Sequence, residues 1–246
     1  FGHDRVNNLA CTHESCATRG VFAHAGALDA LFVLLVALFA WIIAFVVGSL
    51  VGVARTTDKR WLVRCSNAWV ELFRNIPLIV QFFLWYFVVP GLIPSVKVWV
   101  TTLDPTQHQF LTAVVCLGLF TSARIAEQVR SGIQSLSRGQ RNAGYAIGLS
   151  EAQTYRYVLL PMAYRIIIPP LTSELMNLIK NTAVAYSIGL TELFFRTREM
   201  GEMTFRYFEA FAAATLIYIV IAMAANRIMA WVERRVAVPG FIAGTH

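Results

Sequence analysis

Four charged side chains stand inside runs that are otherwise mostly apolar: Arg124, Glu127, Glu174 and Lys180. An arginine at the centre of a membrane helix costs about 2.5–3.5 kcal/mol on insertion scales, so such residues face protein or a wet cavity. Arg124 and Glu127 are three residues apart and can meet on one helix face, which would make a neutralising structural pair. Glu174 and Lys180 are six apart and share no face, so each requires another partner. A guanidinium also presents a planar fork that takes a carboxylate at two points, which an ammonium cannot copy. The chemistry on offer is a buried ion pair or recognition of a charged solute, not bond making.

Catalytic constellations are missing from the sequence. No glycine is followed by lysine, so the phosphate-cradling G-x-x-x-x-G-K-[ST] loop cannot exist, and neither H-E-x-x-H nor G-x-S-x-G occurs. If ATP is used, another chain binds it. Cys11 and Cys16 flank His13 and Glu14, but C-x4-C with one histidine is not a zinc spacing, and no metal is expected. A disulfide or two free thiols is the plainer reading there, with Cys65 and Cys116 structural.

The elements that must carry these charges follow from composition. Apolar residues make up 57% of the 246 and charged residues 14%, too little polar surface to coat a soluble core and too much apolar content for disorder. The three Lys and eighteen Arg fall in short clusters between apolar runs, not in a basic stripe, which excludes nucleic acid as a partner and leaves membrane lipid. The runs lie at 30–54, 76–96, from 109 onward, 166–190 and 208–226. Lacking barrel-type alternation, they are expected to form five transmembrane helices of an all-α membrane protein.

Orientation follows from the basic residues. Thirteen of the 21 fall on one side of such a bundle, six on the other and two within spans, which predicts the N-terminus outside and the C-terminus in the cytoplasm. Residues 1–26 then form an extracytoplasmic segment of unassigned role, 27–236 the membrane domain with a cytoplasmic loop at 130–165, and 237–246 a cytoplasmic tail. Trp61, Trp69, Trp99, Tyr207 and Trp231 read as interfacial anchors. Pro169-Pro170 predicts either a kink or a break that aims backbone groups at a transport site.

The loop at 130–165 carries the most specific pattern. Asn142-Ala143-Gly144 is followed after three residues by Gly148, and after nine more by Val158-Leu159-Leu160-Pro161. Read physically, this is a short helix with small side chains, a glycine that permits a turn, and an amphipathic piece ended by proline. It suits either an ordinary solvated loop or a surface that a partner backbone approaches closely. The spacing resembles the E-A-A-x3-G-x9-I-x-L-P loop of ABC importer permeases. Val70-Glu71-Leu72-Phe73-Arg74-Asn75-Ile76-Pro77-Leu78 is similar to the VELFRGTPLLVQ segment of the polar amino-acid permeases, and Gly148-Leu149-Ser150, Pro169-Pro170-Leu171-Thr172 and Ile188-Gly189-Leu190 are also family-like. The resemblance runs over about 50–236 and is most pronounced toward glutamate/aspartate permeases of the bacterial inner membrane; residues 1–26 lie outside it.

That resemblance implies an ABC importer type I permease core and a chain that is not itself an enzyme. ATP and magnesium would reside on a separate ABC ATPase dimer, docked through Asn142, Ala143, Gly144 and Gly148. It further implies a second homologous permease subunit, in a heterodimer, and an extracytoplasmic binding protein that delivers the amino acid. Asn142 departs from the family's acidic residue, which removes one ion pair from docking. Arg124 stands where polar amino-acid permeases typically have tyrosine, and Asn181 where they have aspartate. Both changes add positive charge, so the expected site is Arg124 on a carboxylate of glutamate or aspartate, completed by Asn177, Lys180 and Asn181. Glu127 remains the alternative, structural partner of Arg124. A rival class is an ATP-independent channel or transporter acting as a homo-oligomer, which would bring no ATPase with it on purification.

Overall fold

The computed structural model describes residues 13–236, with side chains from residue 29 onward and Arg138 excepted. The first twelve residues with Cys11, the side chain of Cys16, and the tail 237–246 lie outside the described residues. The described elements are all helical. In chain order they are α1 (His13–Ala54), α2 (Arg60–Asn75), α3 (Leu78–Phe83), α4 (Val89–Leu92), α5 (Pro94–Thr101), α6 (Pro105–Gln134), α7 (Arg138–Ala146), α8 (Glu151–Thr154), α9 (Leu160–Asn181), α10 (Leu193–Thr204) and α11 (Tyr207–Val236). Five-residue π turns join α3 to α4 (Leu84–Val88) and α8 to α9 (Tyr155–Leu159), and a 3-10 stretch, Thr182–Ile188, follows α9.

Helix α6 is the hub. In its most apolar 18-residue stretch 67% of residues are buried, against 28% for α1 and 17% for α11, so α6 is enclosed by protein while α11 presents most of its surface outward. Between apolar helices in lipid, water supplies no driving force and close packing must do the holding. Glycines provide it. A Cβ on Gly48 of α1 would lie 2.7 Å from Ser122 O and Ile125 Cβ, and one on Gly52 would lie 2.7–2.8 Å from Val129 Cβ and Ala126 O. From the other side, a Cβ on Gly118 of α6 would meet Ile43 at 2.8 Å, and one on Gly132 would meet Ile167 of α9 at 2.5 Å. The α1–α6 and α6–α9 seams are thus set at a spacing only glycine permits.

Proline decides the irregular turns. Pro90 and Pro161 each come just after a π turn, where an ordinary helix would drive the ring into the carbonyl four residues back. The wider turn admits the ring, so Pro161 sits in the first turn of α9 and does not end the preceding piece, a correction to the sequence reading. Pro169-Pro170 lie inside α9, which continues through them to Asn181, so of the two alternatives the break is not formed.

The first, third and fifth apolar runs appear as helices long and apolar enough to cross a membrane: Asp29–Ala54, Pro105–Gln134 and Tyr207–Val236. The second run is different. Leu78–Leu92 is about 22 Å long at 1.5 Å per residue, short of a core of about 30 Å. It counts as a fourth span only together with α2, to which it is bent by 105°. Gln81, 2% exposed, braces that corner by donating from Nε2 to Phe73 O (3.0 Å) and Ile76 O (2.9 Å), carbonyls at the end of α2. Trp69 joins this packing: its Nε1 donates to Ser122 Oγ at 3.2 Å and its ring lies 4.5 Å from that of Phe73. Helix α9, with Arg165, Glu174, Lys180 and three prolines, is long but not apolar enough to qualify by the same measure. At the other end of the bundle, the buried Glu192 caps α10, accepting from Phe194 N and Phe195 N, and takes the Tyr218 hydroxyl of α11 at 3.0 Å.

Gly48→Leu should therefore destabilise the protein by at least the ~1–3 kcal/mol typical of overpacking. Gly91→Ala, whose Cβ would meet nothing within 4 Å, should leave it unchanged. Thermal unfolding in mild detergent checks this, with a clear fall in midpoint for the first variant only.

Candidate functional site

The loop between α6 and α9 is built to a fixed shape. Helix α7 ends on Gly148 at φ +83°, with Gly148 N donating to Tyr145 O (3.0 Å) and Leu149 N to Gly144 O (3.1 Å), the paired bonds of a left-handed helix terminator. Two residues later Ser150 starts the next helix: its Oγ accepts from Gln153 N, and Gln153 Oε1 accepts from Ser150 N at 2.9 Å. Gly148-Leu149-Ser150 is thus a helix stop and a helix start separated by one residue. Asn142, Ala143, Tyr145, Ile147 and Gly148 are exposed. Gly144 is not. A Cβ there would lie 2.8 Å from Thr154 Cγ2, so its small size serves the packing of α7 on α8 and not an outward surface, a correction to the grouping of Ala143 with Gly144.

Tyr155, in the π turn, ties this loop to the bundle. Its hydroxyl accepts from Arg141 Nη2 at 2.7 Å and donates to Thr56 O at 2.8 Å, just beyond α1. The neighbouring Arg55, its side chain 8% exposed, pairs with Glu127 of α6 and donates from Nε to Asn67 Oδ1 at 2.8 Å. Glu127 also receives Arg130 (3.6 Å) and Arg74 (3.7 Å). Arg124 is not its partner. The guanidinium of Arg124 sits 5.0 Å above the Phe120 ring and 3.7 Å from Glu174 Oε2 of α9. That settles the pairing left open by the sequence: Glu127 is the hub of three other arginines, and Glu174 is the counter-ion of Arg124.

Arg74, Arg124, Glu127, Gln128 and Glu174 line one polar cavity of about 340 Å³. Its lining carries two arginines and two glutamates; Arg55 and Arg130, which pair with Glu127 from outside the lining, leave the ionic cluster as a whole with two positive charges in excess. The cavity therefore favours an anionic group, with Arg124 half exposed and free to present donors. Asn177 lies one turn from Glu174 on the same helix face. Lys180 and Asn181 do not line the cavity; Lys180 is exposed and Asn181 ends α9. Arg74, Gln128 and Tyr155 were missed as site residues. Arg74 was counted only as an orientation charge, and no local pattern singles out Tyr155.

Residues 44–238 match the family described as binding-protein-dependent transport system inner membrane component. The chain belongs to this family. The permease is 51% identical over 207 residues to the glutamate/aspartate import permease protein GltJ of Escherichia coli (strain K12), covering 83% of this chain and 84% of that one. It is 30% identical over 212 residues to GltK of Escherichia coli O157:H7, a glutamate/aspartate import permease protein (85% and 93% covered). It is 33% identical over 193 residues to the glutamine transport system permease protein GlnP of Escherichia coli (strain K12) (78% and 84% covered). In fold the permease is similar to a chain of an amino acid ABC transporter crystallised with histidines, at TM-score 0.74 and 24% identity over 89% of this chain and 97% of that one. A chain of the inward-facing MetNI methionine ABC transporter follows, at TM-score 0.67 and 21% identity (90% and 99% covered).

The permease's loop geometry makes a specific demand. Gly148 has open space around it within the chain, so only its positive φ, or a partner's close approach, constrains it. In a complex with an ABC ATPase, Gly148→Val should insert normally yet lose stimulated ATP hydrolysis, whereas Gly148→Asn, which tolerates left-handed φ, should retain most of it. If the asparagine variant fails as fully as valine, close approach and not backbone shape sets the requirement.

Proposed function

We propose that this permease imports glutamate and aspartate as one of two homologous membrane subunits of an ABC importer in the bacterial inner membrane. An extracytoplasmic binding protein delivers the substrate, and a separate ATPase dimer, holding ATP and magnesium, drives the cycle through the exposed face of α7 and the turn at Gly148. Five spans with the N-terminus outside, α9 being the most polar, place α7 and the Arg55–Glu127 cluster together at the cytoplasmic end. The exposed residues of α7 and its fixed terminator support docking there, and the small Ala143 leaves room for a partner. With asparagine at position 142, docking rests on shape and on the arginines of the loop, not on an acidic residue of α7.

The observation that carries the substrate assignment is the half-exposed Arg124 on a polar cavity within an ion cluster that has two positive charges in excess, in a chain half identical to a protein named as a glutamate/aspartate permease. In our reading Arg124 takes a substrate carboxylate, Asn177 adds a hydrogen bond from the same face of α9 as Glu174, and Lys180 with Asn181 completes the path at the far end of that helix. The alternative of an ATP-independent homo-oligomeric channel has no structural feature in its favour.

Reconstituted Arg124→Lys and Arg124→Ala transporters with intact binding protein test the assignment. Lysine should keep part of the glutamate uptake through charge alone. Alanine should reduce it about a hundredfold, the scale expected for a buried charge-assisted contact of ~3 kcal/mol. Undiminished uptake by the alanine variant would remove Arg124 from the site.

A further inference from the structure

The two carboxylates in the cavity are bonded very differently. Glu127 is held by Arg55, Arg74 and Arg130 and has no freedom to exchange. Glu174 has one charged neighbour in ion-pair range, Arg124, at 3.7 Å, beyond hydrogen-bond distance. Its Oε2 is buried and makes no hydrogen bond, although the side chain is only 13% exposed. An arginine–carboxylate pair with room to close normally settles at about 2.7–2.9 Å, often through two parallel bonds. This one has not closed, and both ends open onto the same 340 Å³ cavity. A buried carboxylate oxygen without a donor is costly, so its presence beside a substrate-binding arginine calls for a role.

We propose that Glu174 is a tethered stand-in for the substrate carboxylate. In the empty permease it neutralises Arg124; when glutamate or aspartate enters, the substrate carboxylate takes Arg124 and Glu174 moves to Arg74. Arg74 lines the same cavity, half exposed and held only at 3.7 Å by an already saturated Glu127, so the displaced acid is not stranded. The exchange swaps one carboxylate for another on the same guanidinium. Arg124 is therefore never unpaired, and no deep well traps the substrate. On opening toward the cytoplasm, Glu174 returns to Arg124 and displaces the substrate. Glu174 thus trades affinity for release.

This rests on the assignment of Arg124 to the substrate, and the test separates the two. Binding of labelled L-glutamate is measured on the detergent-purified complex of permease subunits and ATPase, without binding protein, and uptake is measured after reconstitution. Glu174→Gln should bind glutamate about tenfold more tightly, on the order of 1.4 kcal/mol, while maximal uptake per ATP hydrolysed falls. Glu174→Asp keeps the charge but draws it back by one methylene, and should shift both readouts the same way by a smaller factor, about threefold by the same scale. Its near-native shape answers the case in which the glutamine variant fails to assemble. Unchanged or weaker binding by assembled Glu174→Asp or Glu174→Gln complexes, with Arg124→Ala abolishing binding, overturns the stand-in role and leaves the substrate site intact. Full binding by Arg124→Ala overturns both.

Discussion

The spacing between α1 and α6 governs the rest of the molecule. In lipid, helices gain nothing from hiding apolar surface from each other, so their association depends on how closely the backbones can come. Gly48 and Gly52 on one side and Gly118 on the other allow contact at distances where any Cβ would collide with a carbonyl or a branched side chain. That approach brings the end of α1 against α6 and lets Arg55 reach Glu127 while almost fully shielded from solvent. A shielded arginine is tolerable only when paired. The glycine seam and the ion cluster are therefore one device: the first positions the second, and the second makes burial of the first turn beyond α1 affordable.

From that cluster the structure extends in two directions. Toward α9, the polar cavity opens with Arg124 and Glu174 on facing helices, each available to a ligand in a way that Arg55 and Glu127 are not. Toward the loop, Thr56 receives the Tyr155 hydroxyl, which also holds Arg141 of α7. Helix α7 is thus hydrogen-bonded, through Arg141 and Tyr155, to the residue that follows Arg55, the partner of Glu127. Within the loop the turn between α7 and α8 is fixed by the terminator at Gly148 and the cap at Ser150.

Much of this was legible from residue types alone. The all-helical membrane class, the three apolar spans, the turn at Gly148 and the demand that Glu174 find a partner follow from hydropathy, left-handed glycine and the cost of buried charge. The partner itself did not. Arg124 and Glu127 satisfy the local three-residue rule, yet the rotation of α6 against α9 turns Arg124 toward Glu174 and leaves Glu127 to arginines from α1, α2 and its own next turn. Helix rotation is a tertiary property that no spacing encodes. Pro161 was misread for a related reason: a widened turn ahead of the ring overrules a propensity measured in isolated helices.

The central claim is that an acid-binding cavity in this chain is driven by ATP bound elsewhere. Its most direct test is uptake into proteoliposomes containing the complete importer, with binding protein outside and ATP on the ATPase side. The account predicts concentrative uptake of labelled glutamate that stops without ATP or without binding protein, and that aspartate but not arginine competes for. Downhill glutamate flux that needs neither ATP nor binding protein, or equal competition by arginine, would contradict it.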